Sequence, residues 1–344
     1  MSLFFLGDFV NPNGNLEFPL LKSLIKPHDK LILNLEGPIL DDKVLRPINP
    51  HKYNLYSNNH ALGRFKDYDV SLILANNHIN DFKRGLNATI DILDNDNKSY
   101  FGTDKNPYIE YKNTDDNQNY CVFAFNSKLT LPVSNKGVNS IDKDSLEKVK
   151  RYRDKNPNTT IIVISHCGLE LSPYPVPADR DLFKKFIDLG VDSVIAHHPH
   201  IVQDVEKYKG KYIFYSIGNF AIPETVYLGK KLNYNNPLTN LGYIIQFENK
   251  ENIRVHRVKM HQDENKVSYD KELNIDEMLE KNPFKGFSNK QYLQFYTKNK
   301  KASKYYPTFD AYGNFSFTLK YNYILLTQFI RTLLIKSKLY NPYS

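Results

Sequence analysis

The sequence predicts an α/β protein that carries its polar chemistry at the C-terminal ends of buried strands. Three observations point there. Short apolar runs of strand length alternate with stretches of helical spacing through about residue 262. Several of those runs stop on a carboxylate, an amide or an imidazole instead of an ordinary turn. One of them, Val191–Gln203 (VDSVIAHHPHIVQ), stops on three histidines, His197, His198 and His200. In α/β sheets the carboxyl ends of the strands are where ligands bind, because the strand is buried and its end is not.

Taken in order, Leu3–Leu6 is an apolar run that ends in Gly7 and Asp8. Leu16–Ile25 has helical spacing (Leu16, Leu20, Leu21, Leu24), and Pro27 closes it. Lys30–Leu35 reads as a second buried strand and leads into Glu36-Gly37-Pro38. Val70–Ala75 runs into Asn76-Asn77-His78-Ile79-Asn80-Asp81, followed by a helix carrying Leu86, Ile90 and Leu93. Ser99–Phe101 and Tyr120–Phe125 are further strands, with Asn113–Asn119 as a hairpin or surface loop, and Ser145–Asp154 is a charged helix.

Thr160–Ser165 is the next buried strand, ending at His166-Cys167-Gly168-Leu169-Glu170. After the proline-rich Ser172–Pro177 comes a helix over Ala178–Leu189, with Leu182, Phe183, Phe186 and Leu189 as its buried stripe and Gly190 at its end. It leads into the histidine-rich strand end, where Pro199 predicts a stiff extended backbone holding His198 and His200 apart. Lys211–Ser216 is a strand ending at Ile217-Gly218-Asn219-Phe220. Leu241–Phe247 and Ile253–Val258 alternate around a polar turn, an antiparallel hairpin that closes the domain.

The character changes after residue 262, so the predicted organisation is a main domain over 1–262 and a basic, aromatic-rich, mainly helical extension over 263–344. Asp263–Pro307 reads as loosely helical or linker-like. Thr318–Leu339 has the one long apolar pattern of the extension, interrupted by Lys320, Arg331, Lys336 and Lys338. It is too polar to span a bilayer and predicts either a helix docked on the main domain or a peripheral contact to a membrane surface or partner.

A formal charge of +8 over 344 residues suits anionic partners: a phosphate-bearing substrate, a polymer, a lipid-linked precursor or a lipid surface. No nucleic-acid module is recognisable, so nucleic acid is not an expected partner. Cys121 and Cys167 both sit in apolar runs, which fits packed thiols in a reducing compartment. The first residues lack the basic and long apolar regions of a secretory signal. The expectation is a cytoplasmic protein, or one peripheral to the inner face of the membrane.

The strand-end inventory is Asp8, Glu36, Asn77, His78, His166, His198 and His200. On the histidine-rich stretch alone, a solvated surface cluster is as good a reading as a metal site. The whole set of oxygen and imidazole donors, without thiolates, suits one or two divalent transition ions such as Mn, Fe or Zn. It fits two ions about 3.5–4 Å apart that share a carboxylate. A remaining histidine can then protonate a leaving oxygen.

GDF at Gly7–Phe9, NLEGP at Asn34–Pro38, NNHINDF at Asn76–Phe82, HCGLE at His166–Glu170, HHPHIVQ at His197–Gln203 and YSIGNF at Tyr215–Phe220 occur in that order. Together they resemble the CapA (poly-γ-glutamate capsule synthesis) family of the calcineurin-like metallophosphoesterase superfamily, over about residues 3–260. The resemblance implies a four-layer α/β/β/α sandwich with the site at the strand ends. It implies Asp8 and His200 on a first metal, Glu36 bridging, and Asn77, His166 and His198 on a second. His78 matches the superfamily histidine that orients substrate phosphate and donates a proton. Asp81, Glu170, His197 and Asn219 lie in family motifs and are expected to support the ligands or touch substrate.

Two positions depart from the superfamily pattern. Val10 stands where a histidine ligand is usual, and Glu36 is one methylene longer than the usual aspartate. The first metal is thereby short of a ligand. The function implied is a metal-dependent hydrolase of phosphoesters or phosphodiesters in cell-surface polymer synthesis. The alternative is a non-hydrolytic assembly or transport component that holds an anionic polymer such as poly-γ-glutamate in the same cleft.

Overall fold

A computed structural model describes residues 1–40, 47–49, 53–113, 118–127, 130, 136–142, 144–299, 315–337 and 339. Its strands in chain order are β1 (Leu3–Phe9), β2 (Lys30–Leu35), β3 (Ile39–Leu40), β4 (Ser57–Asn58), β5 (Asp69–Ile73), β6 (Ser99–Phe101), β7 (Tyr108–Asn113), β8 (Gln118–Asn126) and β9 (Thr160–His166). They continue with β10 (Ser193–His197), β11 (Val205–Tyr208), β12 (Lys211–Phe214), β13 (Asn219–Ala221), β14 (Val226–Tyr227), β15 (Lys230–Lys231), β16 (Leu241–Phe247), β17 (Ile253–His261) and β18 (Lys266–Leu273). The helices are α1 (Leu20–Leu24), α2 (Gly85–Asn95), α3 (Ser145–Lys155), α4 (Pro177–Asp188), α5 (Ile275–Lys281), α6 (Asn289–Asn299) and α7 (Phe315–Lys336).

Two sheets face each other. The first runs β18-β17-β16-β1-β2-β5-β6, with β13 added beside β1. Its β1, β2, β5 and β6 are parallel, and its β16, β17 and β18 are antiparallel. The second runs β11-β12-β10-β9-β8-β7, parallel from β8 to β12 and antiparallel at both edges. The period of two along the second sheet shows what covers each face. Tyr120, Val122, Ala124, Ile162, Ile164 and Ile195 belong to one buried cluster with the residues of the first sheet. The alternating Cys121, Phe123, Phe125, Ile161, Val163 and Val194 belong to another, with Val149 of α3, Leu182, Phe183 and Phe186 of α4, and Tyr292 and Tyr296 of α6. On the far side, Leu20 and Leu21 of α1 and Leu86 and Leu93 of α2 pack on the first sheet. The layers are helix, sheet, sheet, helix, as the resemblance implied. Each fully buried Leu, Ile or Phe contributes on the order of 1.5–3 kcal/mol, so this double core carries the fold.

β13 enters beside β1 only because the backbones there lack side chains. A Cβ on Gly7 would sit 2.0 Å from the Gly218 carbonyl oxygen, and one on Gly242 would sit 2.0 Å from that of Asn219. That close approach puts Asn219 in register with Asp8.

Residues beyond 262 depart from expectation. β18 pairs along β17 from His261↔Lys266 to Val255↔Leu273, with Val267 buried, so the first sheet continues across the expected boundary. Phe284, Tyr292 and Tyr296 are buried in the outer core of the second sheet. A buried Arg180 ties this segment down. It makes a fork to Glu206 (Nε to Oε2 2.8 Å, Nη2 to Oε1 2.7 Å), donates to the Phe287 carbonyl at 2.7 Å and lies over the Tyr292 ring. Residues 263–299 are therefore part of the packed body and not a linker. Composition misled because charged residues alternate with the few apolar ones that pack. The loop expected at Asn113–Asn119 joins the antiparallel pair β7 and β8, though 114–117 lie outside the described residues. Among the described side chains of α7, Phe317 is buried and most of the large apolar ones are exposed.

Candidate metal centre

Each strand delivers its polar residue to the same end of the sandwich. Asp8 lies near the end of β1, Glu36 directly follows β2, and Asn77 and His78 follow β5. From the other sheet, His166 and His197 end β9 and β10 as register partners, and His198 and His200 follow. All but Asn77 and His78 are at most 5% exposed, which is why the set cannot be a solvated surface cluster.

The Asn76 side chain builds the turn that presents Asn77 and His78. Its Oδ1 accepts from the His78 and Ile79 amides at 3.1 and 2.9 Å, while its Nδ2 donates to the Leu35 carbonyl at 2.7 Å. Asp8 is held by Asn34, whose Nδ2 donates to Oδ1 at 2.7 Å, and by the His198 amide, which donates to Oδ2 at 3.1 Å. His198 and His200 have φ of 105° and 58°. The segment around Pro199 is thus a sharp turn, correcting the extended conformation expected. Such backbone costs on the order of 1–3 kcal/mol per residue and persists where contacts over-determine it, commonly at functional sites.

Three overlapping sets of donor atoms result, each within 4.8 Å: Glu36, His166 and His198; Asp8, Glu36 and His200; and Asp8, His166 and His197. In the first set, His166 Nε2 lies 3.0 Å from His198 Nδ1, 3.7 Å from Glu36 Oε1 and 2.6 Å from Asn77 Oδ1. In the second, His200 Nε2 lies 3.8 Å from Glu36 Oε1. Glu36 is common to both, and neither of its oxygens accepts a hydrogen bond although the side chain is fully buried. A buried carboxylate with no donor is costly unless a cation completes it.

The electrostatics agree. Burial, followed by the charge of Asp8, pushes the Glu36 carboxyl up to about 8. Burial would raise Asp8 as well, but His197 and then His200 and His166 hold it well below the usual carboxylate range. Burial pulls His198 down to about 3 and His166 well below the ordinary imidazole range, leaving both neutral as metal ligands must be. Burial opposes the charging of His200, but Glu36 and Asp8 outweigh it and push it up to about 10.

The remaining predicted residues surround this core. His78 Nδ1 donates to Asp81 Oδ2 at 2.6 Å, and its Nε2 lies 3.9 Å from Glu36 Oε1. Burial is outweighed there by Asp81, which raises His78 above its ordinary value. Asn219 Nδ2 donates to the Thr239 carbonyl, so its Oδ1 accepts from His200 Nδ1 at 2.9 Å and leaves His200 Nε2 facing Glu36. His197 Nδ1 lies 2.9 Å from His166 Nδ1 and 3.2 Å from Asp8 Oδ1, within the third donor set. Glu170 sits exposed at the rim and acts on Glu36, His78, His198 and His200 through its charge. Val10 points into an apolar cluster with Leu55, Ile222, Tyr227 and Leu232 and offers the site nothing.

Three residues near the site were not singled out from sequence. Asn34 and Asn76 lie inside the quoted motifs and were readable as amides that brace ligands. Tyr234, whose ring centre lies 5.3 Å from that of His200, comes from an irregular stretch with no pattern to mark it. Cys167, beside His166, is buried, and burial pushes its thiol well above the ordinary range, so it is packing and not a nucleophile.

A family model described as "Bacterial capsule synthesis protein PGA_cap" matches residues 14–224. The chain belongs to that family. It is 28% identical over 231 residues to the capsule biosynthesis protein CapA of Bacillus anthracis, covering 63% of this chain and 56% of that protein. It is 25% identical over 229 residues to the PGA biosynthesis protein CapA of Bacillus subtilis (strain 168), covering 60% and 57%. The chain thus spans about half the length of the curated relatives it matches. Among solved structures, GAP50, described as the anchor in the inner membrane complex of Plasmodium, superposes with a TM-score of 0.45 at 16% identity, over 88% of this chain and 95% of that one. Among the described residues of this PGA_cap protein, no helix is long and apolar enough to cross a membrane.

Proposed function

We propose that the PGA_cap chain is a metal-dependent phosphoesterase of capsule or cell-surface polymer synthesis, cleaving a phosphoester or phosphodiester at the strand-end site. The single observation that carries the reading is Glu36, fully buried with two unpartnered oxygens and ringed by His78, His166 and His200. Asn77, His166, His198 and Glu36 would hold one divalent transition ion, and Asp8, Glu36 and His200 a second, with Glu36 shared. Such ions, when bound, polarise a phosphoryl oxygen and bring a water to nucleophilic strength near neutral pH.

The rest falls to the chain's own groups. His78 donates from Nδ1 to Asp81, which raises its basicity, and its Nε2, 3.9 Å from Glu36 Oε1, would give a proton to the leaving oxygen. Removing such an acid costs on the order of 10²–10⁴-fold in rate. Asn219 and His197 orient His200 and His166, and the Tyr234 ring packs beside that of His200. The test is turnover of a panel of phosphomonoesters and diesters by pure protein with added Mn²⁺. The reading expects turnover that EDTA abolishes and His78→Ala reduces by the stated factor. No turnover, or turnover indifferent to His78→Ala, contradicts it.

A second reading draws on Val10. With that position turned into an apolar cluster, the set of Asp8, Glu36 and His200 keeps only three donors, and a weakly held ion there favours a component that binds an anionic polymer without cleaving it. Binding of poly-γ-glutamate that survives His78→Ala but disappears with EDTA distinguishes this from hydrolysis.

A further inference from the structure

A cleft of about 460 Å³ opens at the end of the sandwich opposite the metal centre, where β9 begins and the chain enters β10. β9 runs seven residues from Thr160 to His166, so about 20 Å of strand separates the cleft from the metal ligands. Its volume is within the usual range of small-molecule sites, about 300–1,000 Å³. Four cations line it: Arg153, Lys209 and Lys211, and Lys250 from the turn between β16 and β17 of the first sheet. Among the described residues of the lining, Asp192 is the one carboxylate. Lys209 also pairs with Asp188, outside the lining, so four positive charges meet two negative ones.

Arg153 is spent on the fold. Its Nη1 donates to the carbonyls of Asn156, Pro157 and Thr159 at 3.1, 2.9 and 2.7 Å. Its Nε and Nη2 donate to the Gly190 carbonyl at 3.2 and 2.8 Å, and Nη2 also reaches Asp192 Oδ2 at 3.0 Å. It thereby takes up the carbonyls that follow α3 and α4, whose negative ends would otherwise repel an anion. Lys211 holds the other oxygen of Asp192 at 2.8 Å, which leaves two of its three ammonium protons for a ligand. Lys250 is exposed and has no ion pair among the described residues.

We propose that this cleft is a second ligand site and that it binds a phosphate-bearing small molecule. The donor set decides the class. No guanidinium fork is free to grip a carboxylate, whereas three ammonium groups act as the point charges that hold phosphate. The excess of two positive charges matches a phosphate monoester, which carries about −1.5 to −2 near neutral pH. Pro157, Ile187 and Val191 also line the cleft and suit the organic part of such a ligand. The inference does not depend on the metal centre.

The test is a calorimetric titration of pyrophosphate into the full chain, stripped of metal with EDTA and dialysed free of it. Saturable binding of one pyrophosphate per chain is expected, and salt should weaken it. Lys209→Gln combined with Lys250→Gln, at exposed positions outside both cores, should weaken it by about tenfold or more, as the loss of hydrogen bonds to a charged group does. Lys22→Gln combined with Lys83→Gln removes the same charge from exposed positions elsewhere and should bind like the parent. So should His78→Ala. The proposal is overturned if pyrophosphate does not bind, or if the two double variants behave alike, which would mean attraction to net charge alone. It is equally overturned if His78→Ala abolishes binding, which would place the anion in the metal centre. A penta-glutamate peptide that binds more tightly than pyrophosphate, and needs Lys209 and Lys250 to do so, would overturn phosphate as the ligand class.

Discussion

Glu36 is the residue on which the chemistry and the stability of the site pull in opposite directions. Its carboxyl ordinarily ionises near 4.5, and burial holds it up to about 8 in the metal-free fold. Ionising it is therefore disfavoured by the folded state, so its cost appears above pH 4.5 and is complete above about 8. Glu36→Gln carries no such cost. In chelated protein at pH 8.5 this variant should melt at a higher temperature than the parent, while its metal binding is lost. A lower melting temperature would mean that the carboxylate is satisfied by something other than a cation. His197 makes a contrasting case, since its Nδ1 lies 2.9 Å from His166 Nδ1 and 3.2 Å from Asp8 Oδ1, where it orients both. His197→Ala should retain metal capacity but weaken affinity by about 10–100-fold, the usual effect of losing a group that orients a ligand. Competition with a chromophoric chelator reads this directly.

At the scale of elements, the parallel strands were legible because each obeys one rule. An apolar run buried on both faces ends on a residue that does chemistry, as in β1 with Asp8, β2 with Glu36 and β9 with His166. What stayed hidden were elements whose reason for folding lies elsewhere in the chain. β18 alternates as VSYDKEL and shows its apolar side only against β17, and α6 buries Tyr292 and Tyr296 among exposed polar neighbours. The backbone turn at His198 and His200 is likewise tertiary in origin, forced by Asp8 and Asn219 from two other strands. The latch on α4 is the element-scale test. Arg180→Ala leaves Glu206 buried with only Lys184 and Tyr215 as partners and removes the anchor of the Phe287–Tyr292 segment. A loss of about 3–5 kcal/mol in urea unfolding is expected. A change below 1 kcal/mol would mean that β18 alone holds the C-terminal part of the body in place.

For the whole molecule, the two sheets act as a clamp that brings ligands from both into one buried volume, so metal and fold are linked. Metal binding must displace the protons that Glu36, held up to about 8, and His200, pushed up to about 10, retain in the empty site. Apparent affinity should therefore rise with pH between 6.5 and 8.5, about tenfold per unit for each proton released. Both groups lie above their ordinary values, so the metal-free protein loses stability over that interval, and the metal-loaded protein should not. Melting curves of chelated and loaded protein across the interval check the sign. The family and the layer order were readable from six short motifs, but the extent of the body was not, because its last strand and helices carry no motif. The most direct test of the central claim is the metal content of the protein purified without chelator and measured by mass spectrometry, with His198→Ala as the control. At least one divalent transition ion per chain, absent from the variant, is the predicted result. A metal-free protein that stays so after incubation with Mn²⁺, Fe²⁺ and Zn²⁺ would contradict it.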